Sequence, residues 1–270
     1  MNRNKLRRLL QAMARLSVGA HLPMAAAGLS YFLTLSFFPM LICLYTMLGR
    51  FFPAEGDIRR FLTGLIPPET LSLIGDYLRY VSGNFGTPML VMALAVMVTS
   101  SSAGFRILDR TIGELHGCGR SAAATLIRSV CSSLVFLAAI YFAVLLVVTG
   151  KWFLNFLDSH LMAVNVSDSW GWARFFLLFL LLFVMLLWVY RVTAPKNRPV
   201  HLVPGAALGA VMLAAVSILF SASVSASARY PLVYGSLASI VIMMFWLYAC
   251  SMAALLGSAL NAALDQTAGE

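Results

Sequence analysis

Six long stretches of mainly apolar residues recur along this chain, and none of them contains an aspartate or a glutamate. They lie at residues 23–49, 87–107, 126–149, 172–192, 202–226 and 235–260. A helix that crosses a bilayer needs about 20 such residues. Hydrophobic residues make up 61% of the 270 residues and charged residues 11%, whereas an ordinary soluble domain is roughly one quarter charged. The sequence therefore predicts an all-α, polytopic integral membrane protein with six transmembrane helices.

The segments around these stretches predict short amphipathic helices at the membrane interface. Residues 1–22 form a basic arm in which Leu6, Leu10 and Met13 alternate with arginine and lysine, a pattern typical of a helix on an anionic leaflet. Residues 50–86 form the longest connection, whose apolar residues recur at helical spacing. A solvated linker is the alternative for both segments. Residues 23–264 then make up the transmembrane domain, and residues 265–270 a short cytoplasmic tail.

The basic residues indicate the orientation of the chain. The net charge is +9, and 12 of the 19 lysine and arginine residues fall on the same side of the six predicted spans as the N-terminus. Cytoplasmic loops of membrane proteins carry an excess of lysine and arginine, so both termini are expected in the cytoplasm. This distribution accounts for the positive charge without a nucleic-acid partner.

No pattern in the sequence points to catalysis, a metal or a cofactor. The four cysteines form no CxxC pair, and the four histidines lie far apart near span ends. There is no GxSxG motif, no phosphate-binding glycine loop and no pair of close carboxylates. We therefore expect a protein that is not an enzyme, with neither metal nor cofactor.

Polar residues within and beside the spans are the candidates for contact with a lipid or another substrate. Hydroxyls on several helices would line a polar cavity, or each would bond to its own helix. Arg106 and Arg110 lie at the expected cytoplasmic edge, where an arginine either holds an anionic group or extends to the interface. Tyr234 and Gly235 lie at the start of the sixth span, whose free N–H groups offer an anion site. The full set is Arg106, Arg110, Ser30, Tyr31, Thr34, Ser36, Thr99, Ser100, Ser101, Ser102, Tyr234, Gly235 and Asn261.

Other residues are candidates for structural or hinge roles. Pro39 removes a backbone hydrogen bond from the first span and favours a kink. Gly205 and Gly209 form a GxxxG pattern, and Gly257 belongs to a similar stripe in the last span. Such stripes let helices pack closely, and they also suit an interface that slides. Trp246 belongs to the same group of candidates.

The order of these motifs resembles the YihY/BrkB family. The first span carries Ala25–Tyr31 and then Leu35–Pro39, and the last region carries Tyr234–Ala238, Trp246–Tyr248 and Leu255–Gly257 followed by Asn261. The resemblance covers nearly the whole chain and implies a six-helix bacterial inner-membrane protein, in a family linked to serum resistance and to export of envelope lipids or solutes. The family's glutamate in LLGAE falls on Ala259 here, which argues against a mechanism coupled to a carboxylate within the spans.

Two classes of function follow from these features. The first is transport or export of an amphipathic or anionic molecule through a hydroxyl-lined cavity. The second is a non-catalytic scaffold for envelope assembly or virulence. The older ribonuclease label of the family finds no catalytic residues here. The expected partners are the phospholipid bilayer and a lipid or anionic small molecule, with no nucleic acid, and a homo-oligomer stays open.

Overall fold

The fold is a bundle of long α-helices. The structure is a computed structural model that describes residues 3–48, 87–117, 121–161, 166–194, 201–226 and 230–268. Its helices are α1 (Arg3–Gly19), α2 (Leu22–Leu48), α3 (Thr87–Leu115), α4 (Ala122–Leu161), α5 (Val166–Thr193), α6 (Val203–Ala226) and α7 (Tyr230–Ala268). Helices α2 to α7 each contain an apolar segment long enough to cross a membrane. The all-α architecture with six such helices is therefore confirmed. The connection at residues 50–86, which was expected to hold amphipathic helices, lies outside the described residues.

Helices α2, α3 and α7 lie at the centre of the bundle. Helix α3 packs against α2, α4, α5 and α7, and α7 packs against α1, α2, α3 and α6. The apolar segment of α3 has the largest buried share, 44%, whereas those of α4 and α5 are 17% buried. The bundle therefore has α3 inside and α4 and α5 at its periphery, with large apolar side chains such as Phe142 and Phe176 facing outward.

One end of the bundle collects α1, the starts of α2, α4 and α6, and the ends of α3, α5 and α7; we call it the α1 end. Two residues connect α1 to α2, and one of them, His21, has a φ of 47°. Its N–H donates to Val18 O at 3.2 Å, and its carbonyl accepts from Met24 N at 3.0 Å. This tight turn fixes α1 beside α7, and Met13 and Leu16 pack against the bundle core.

Helices α6 and α7 approach each other closely at glycine. Gly205 lies against the backbone of Gly257, and a Cβ atom built on Gly205 would overlap the Gly257 carbonyl oxygen. Gly209 lies beside Tyr190 of α5, whose hydroxyl donates to Ala254 O at 2.5 Å. The small residues thus occupy packing positions at a junction of three helices, where lipid supplies no hydrophobic drive for association.

Several helices extend beyond the limits predicted by the sequence, and the largest extension at a C-terminal end is that of α4, which ends at Leu161 rather than at residue 149. Helix α3 continues past residue 107 to Leu115, because Leu108, Ile112 and Leu115 extend its buried apolar face. Helix α7 already begins at Tyr230, since the next residue is proline and proline suits a first helical turn. Helix α2 runs through Pro39 as one helix.

Candidate functional site

Serine hydroxyls join α3 to its neighbours deep within the bundle. Ser101 and Ser133 hydrogen-bond to each other, and Ser102 Oγ donates to Ser129 Oγ at 3.3 Å. Ser100 Oγ donates to the Phe32 carbonyl of α2 at 3.0 Å. The run of hydroxyls in α3 therefore makes contacts between helices, a use of polar groups that membrane bundles favour.

The remaining hydroxyl candidates bond to their own helices. Ser30, Thr34 and Ser36 are buried, and each donates to a carbonyl three or four residues earlier at 2.8 to 2.9 Å. Thr99 is exposed and bonds in the same way to Ala95 O. Such bonds satisfy the hydroxyl without a ligand. Among these candidates, Ser100, Ser101 and Ser102 form hydrogen bonds between helices. The hydroxyls of Ser30, Thr34, Ser36 and Thr99 bond within their own helices.

Tyr31 differs from those hydroxyl candidates because half of its side chain is exposed. Its exposed fraction is 50%, and its ring makes an edge contact with Phe32. Trp246, a structural candidate, packs against Phe220 of α6 with ring centroids 6.4 Å apart. Tyr234 and Gly235 lie within α7 rather than at its start, and their side chains are outside the described residues.

Asn261 links α7 to the first turn of α6. Its Oδ1 accepts the Gly205 N–H at 2.7 Å, and its Nδ2 donates to Leu202 O at 3.2 Å. The side chain is 1% exposed. The first N–H groups of a helix lack partners within the helix, so a buried amide from a neighbouring helix satisfies one of them. This arrangement supports a structural role for Asn261 rather than contact with a substrate.

Charged residues lie within the apolar segment of α3, which runs from Val91 to Leu115. Arg106 is half-buried, Asp109 is 2% exposed and Arg110 is exposed. Arg106 and Asp109 are three residues apart and therefore occupy neighbouring positions on one helix face. Asp109 corrects the expectation that the spans hold no carboxylate, which rested on ending this span at residue 107.

Ala259, where the resemblance to the family implies a glutamate, lies in an apolar part of the bundle. Ala259 is fully buried in the core cluster, together with Leu255 and Ala262 of the same helix. Among the described residues, the carboxylate classed as buried is that of Asp109 on α3, a position that sequence reasoning missed. The signal for it was the return of apolar residues after Arg106, at Ile107, Leu108 and Ile112.

An aspartate and two histidines meet at the α1 end. The backbone N–H of His201 donates to Asp265 Oδ1 at 2.9 Å, and His201 Nδ1 lies 2.9 Å from the same oxygen. Asp265 Oδ2 is 3.8 Å from His116 Nε2 at the end of α3. Within the described part of the chain, no group of three histidine, cysteine, aspartate or glutamate side chains is placed to hold a metal ion.

These features define the class of the protein as a multi-pass membrane protein. The family model described as Virulence factor BrkB matches residues 15–270, so the chain belongs to that family. This confirms the resemblance seen in the sequence motifs.

The chain is similar to proteins of several bacteria, and two of the three described below are named membrane proteins. The ribonuclease-like protein YfkH of Bacillus subtilis (strain 168) is 26% identical over 245 residues, covering 89% of each chain. The UPF0761 membrane protein VP0125 of Vibrio parahaemolyticus serotype O3:K6 (strain RIMD 2210633) is 27% identical over 265 residues, covering 89% of this chain and 77% of the relative. VV0203 of Vibrio vulnificus (strain YJ016), also named a UPF0761 membrane protein, is 25% identical with the same coverage of each chain. No solved structure matches.

Proposed function

We propose that this protein transports an amphipathic or anionic molecule across the bacterial inner membrane, with both termini in the cytoplasm. The observation that carries the proposal is Asp109, a carboxylate that is 2% exposed within the apolar segment of α3. Ionisable groups at membrane depth are costly and are retained mainly where they serve a pathway for ions or substrates. Arg106 on the same helix face supplies a cation that an anionic group would meet near the end of that segment.

The proposal assigns different roles to the charged and the hydroxylated residues. The hydroxyl-lined cavity expected from the sequence has less support, because most of the serines involved bond to backbone carbonyls or to one another. The charged positions of α3 are the better candidates for contact with the transported molecule. Asp109 would supply the carboxylate within the spans that Ala259 does not provide.

Reconstitution in liposomes tests this function. The probe is phosphatidylglycerol that carries a dithionite-sensitive fluorophore on its headgroup. Dithionite added outside the liposomes removes the fluorescence of the outer leaflet only. We expect wild-type protein to move the label faster than empty liposomes, and Asp109→Asn to lower that rate on the order of tenfold because it removes the buried carboxyl group. Asp109→Glu, which keeps a carboxylate, should retain more of the rate.

The control is Arg191→Gln, which removes an exposed charge from the last turn of α5 and should move the label at the wild-type rate. Gel filtration of each variant verifies that it folds. Movement at the rate of empty liposomes for the wild-type protein, both with this probe and with a radiolabelled anionic solute, would contradict transport.

The second candidate function is a membrane scaffold. It is favoured by the way Ser101, Ser133, Gly205 and Asn261 are used in contacts between helices, which give a tightly joined bundle. A scaffold would co-purify with partner proteins in fixed stoichiometry from native membranes, and Asp109→Asn would leave that stoichiometry unchanged. This outcome, together with no movement in liposomes, would favour the scaffold.

A further inference from the structure

A cleft of about 450 Å³ opens between α1 and the rest of the bundle. It lies apart from the charged positions of α3 discussed above, beyond Asp109 toward the end of that helix. Its polar lining consists of Arg8, Gln11 and Arg15 of α1, Glu114 of α3, and Gln266 and Thr267 of α7. Three separate elements thus supply its walls, and the tight turn at His21 holds α1 in place above it.

The cleft lies at the depth where apolar segments end. The segment of α3 ends at Leu115, and the segment of α7 ends at Thr267; both residues line the cleft. The segment of α2 begins at Leu22, directly after the lining residues Gly19 and Ala20. An apolar segment that crosses a bilayer ends near the edge of the hydrocarbon core, and the phosphate groups of the lipids lie just beyond that edge. A phospholipid in that leaflet would therefore hold its phosphate at the level of this cleft.

The charge of the cleft favours an anion. Arg8 and Arg15 lie seven residues apart, two turns along one face of α1, with Gln11 between them. Neither arginine forms an ion pair with a described residue, so both guanidinium groups retain their donors for a ligand. Glu114 opposes an anion at one wall, but the two arginines leave the lining positive. Guanidinium groups bind phosphate oxygens through paired hydrogen bonds.

The cleft also has room for the part of a lipid that joins phosphate to acyl chains. Leu16 and Leu115 contribute apolar surface to its lining. No atom lies within 4 Å of a Cβ atom built on Gly19, so the cleft is open beside this residue. Leu10 and Val18, on another side of α1, are 56% and 75% exposed. Helix α1 therefore combines exposed apolar side chains with arginines, the composition of a helix that lies among lipid headgroups.

We propose that this cleft binds the phosphate group of an anionic phospholipid from the leaflet at the α1 end. The lipid would join α1 to α3 and α7 through its phosphate. This binding does not depend on transport: a lipid that is carried and a lipid that only anchors the bundle would occupy the cleft alike. An experiment that measures how much lipid stays bound can contradict this site without contradicting transport, because transport is measured as movement of lipid between leaflets.

The test uses full-length protein in a nonionic detergent, mixed with equal amounts of phosphatidylglycerol and phosphatidylcholine of the same acyl chains. Gel filtration removes free lipid, and mass spectrometry quantifies the lipid that stays bound. We expect the wild-type protein to retain phosphatidylglycerol over phosphatidylcholine by about tenfold, and Arg8→Gln/Arg15→Gln to lose that preference. Glutamine and arginine have similar helix propensities, so α1 should persist in the variant.

The matched control is Arg7→Gln/Arg191→Gln, which removes the same charge from exposed positions that do not line the cleft. It should retain phosphatidylglycerol as the wild type does. Equal loss of the lipid in both double variants, or equal retention, would overturn the site. A second arm adds inorganic phosphate at the same concentration as phosphatidylglycerol and at constant ionic strength: displacement of most of the lipid would show that the cleft prefers a free anion, and would overturn the assignment to a phospholipid.

Discussion

Among the described glycines, Gly205 is the one at which an added Cβ atom would meet its neighbours most closely. A Cβ atom there would overlap two neighbours, the carbonyl oxygen of Gly257 and the amide of Asn261. The Gly257 oxygen belongs to the backbone, and the Asn261 amide is held by two hydrogen bonds, so moving either group would cost free energy. The close approach of α6 and α7 therefore depends on this position.

We expect Gly205→Ala to destabilise the bundle by about 1–3 kcal/mol, the usual cost of excess volume in a packed interior. The control is Gly19→Ala, because nothing lies within 4 Å of a Cβ atom built on Gly19. That change should leave stability equal or raise it by up to about 1 kcal/mol. Thermal unfolding of both variants in detergent, followed by circular dichroism, measures the difference. Equal melting temperatures would refute the close packing.

At the scale of helices, serine pairs hold α3 and α4 together. Ser101 and Ser133 are both buried and bond across the interface, which is otherwise built from apolar residues such as Phe105 and Phe136. Hydrogen bonds between membrane helices contribute about 0.6 kcal/mol on average and up to about 1.7 kcal/mol.

A double-mutant cycle with Ser101→Ala and Ser133→Ala should therefore give a coupling energy of about 0.6 kcal/mol or more. The paired cycle of Thr99→Ala with Ser133→Ala is the control, since Thr99 is exposed and bonds within α3. Its coupling energy should be close to zero. Unfolding in mixed detergent micelles provides both values, and equal coupling in the two cycles would show that the serine pair does not join the helices.

The sequence predicts helices of this kind better than it predicts their contacts. Length and apolar composition suffice for the six spans, because any helix in lipid must satisfy its own backbone. The helical spacing in α1 indicates an apolar face, but two residues of that face, Met13 and Leu16, pack against the bundle core rather than lipid. Periodicity assigns a side chain to one face of a helix but does not identify the helix that packs against that face. The pairing of Ser101 with Ser133 and the burial of Asp109 could therefore be seen only in the three-dimensional structure.

At the scale of the whole molecule, Asp265 connects elements that are distant in the chain. Its carboxylate contacts His201 before α6 and His116 after α3, and its own helix α7 packs against α1. The side chain of His116 is 6% exposed and that of His201 is 57% exposed, so the cluster runs from the interior to the surface. One carboxylate thus fixes the relative positions of three helices at the α1 end.

Removing this carboxylate should loosen the α1 end and leave the opposite end unchanged. For Asp265→Ala we expect amide hydrogen exchange at residues 201–206 and 112–117 to become about tenfold faster, which corresponds to about 1.4 kcal/mol of local opening. Asp265→Asn keeps an oxygen acceptor for the His201 N–H and should give a smaller increase. Peptides around Ala93 and Met97, which belong to a separate buried cluster with Ile42 and Cys43, serve as the internal reference. Faster exchange throughout the bundle would show global destabilisation, and unchanged exchange at both ends would show that Asp265 does not hold the α1 end together.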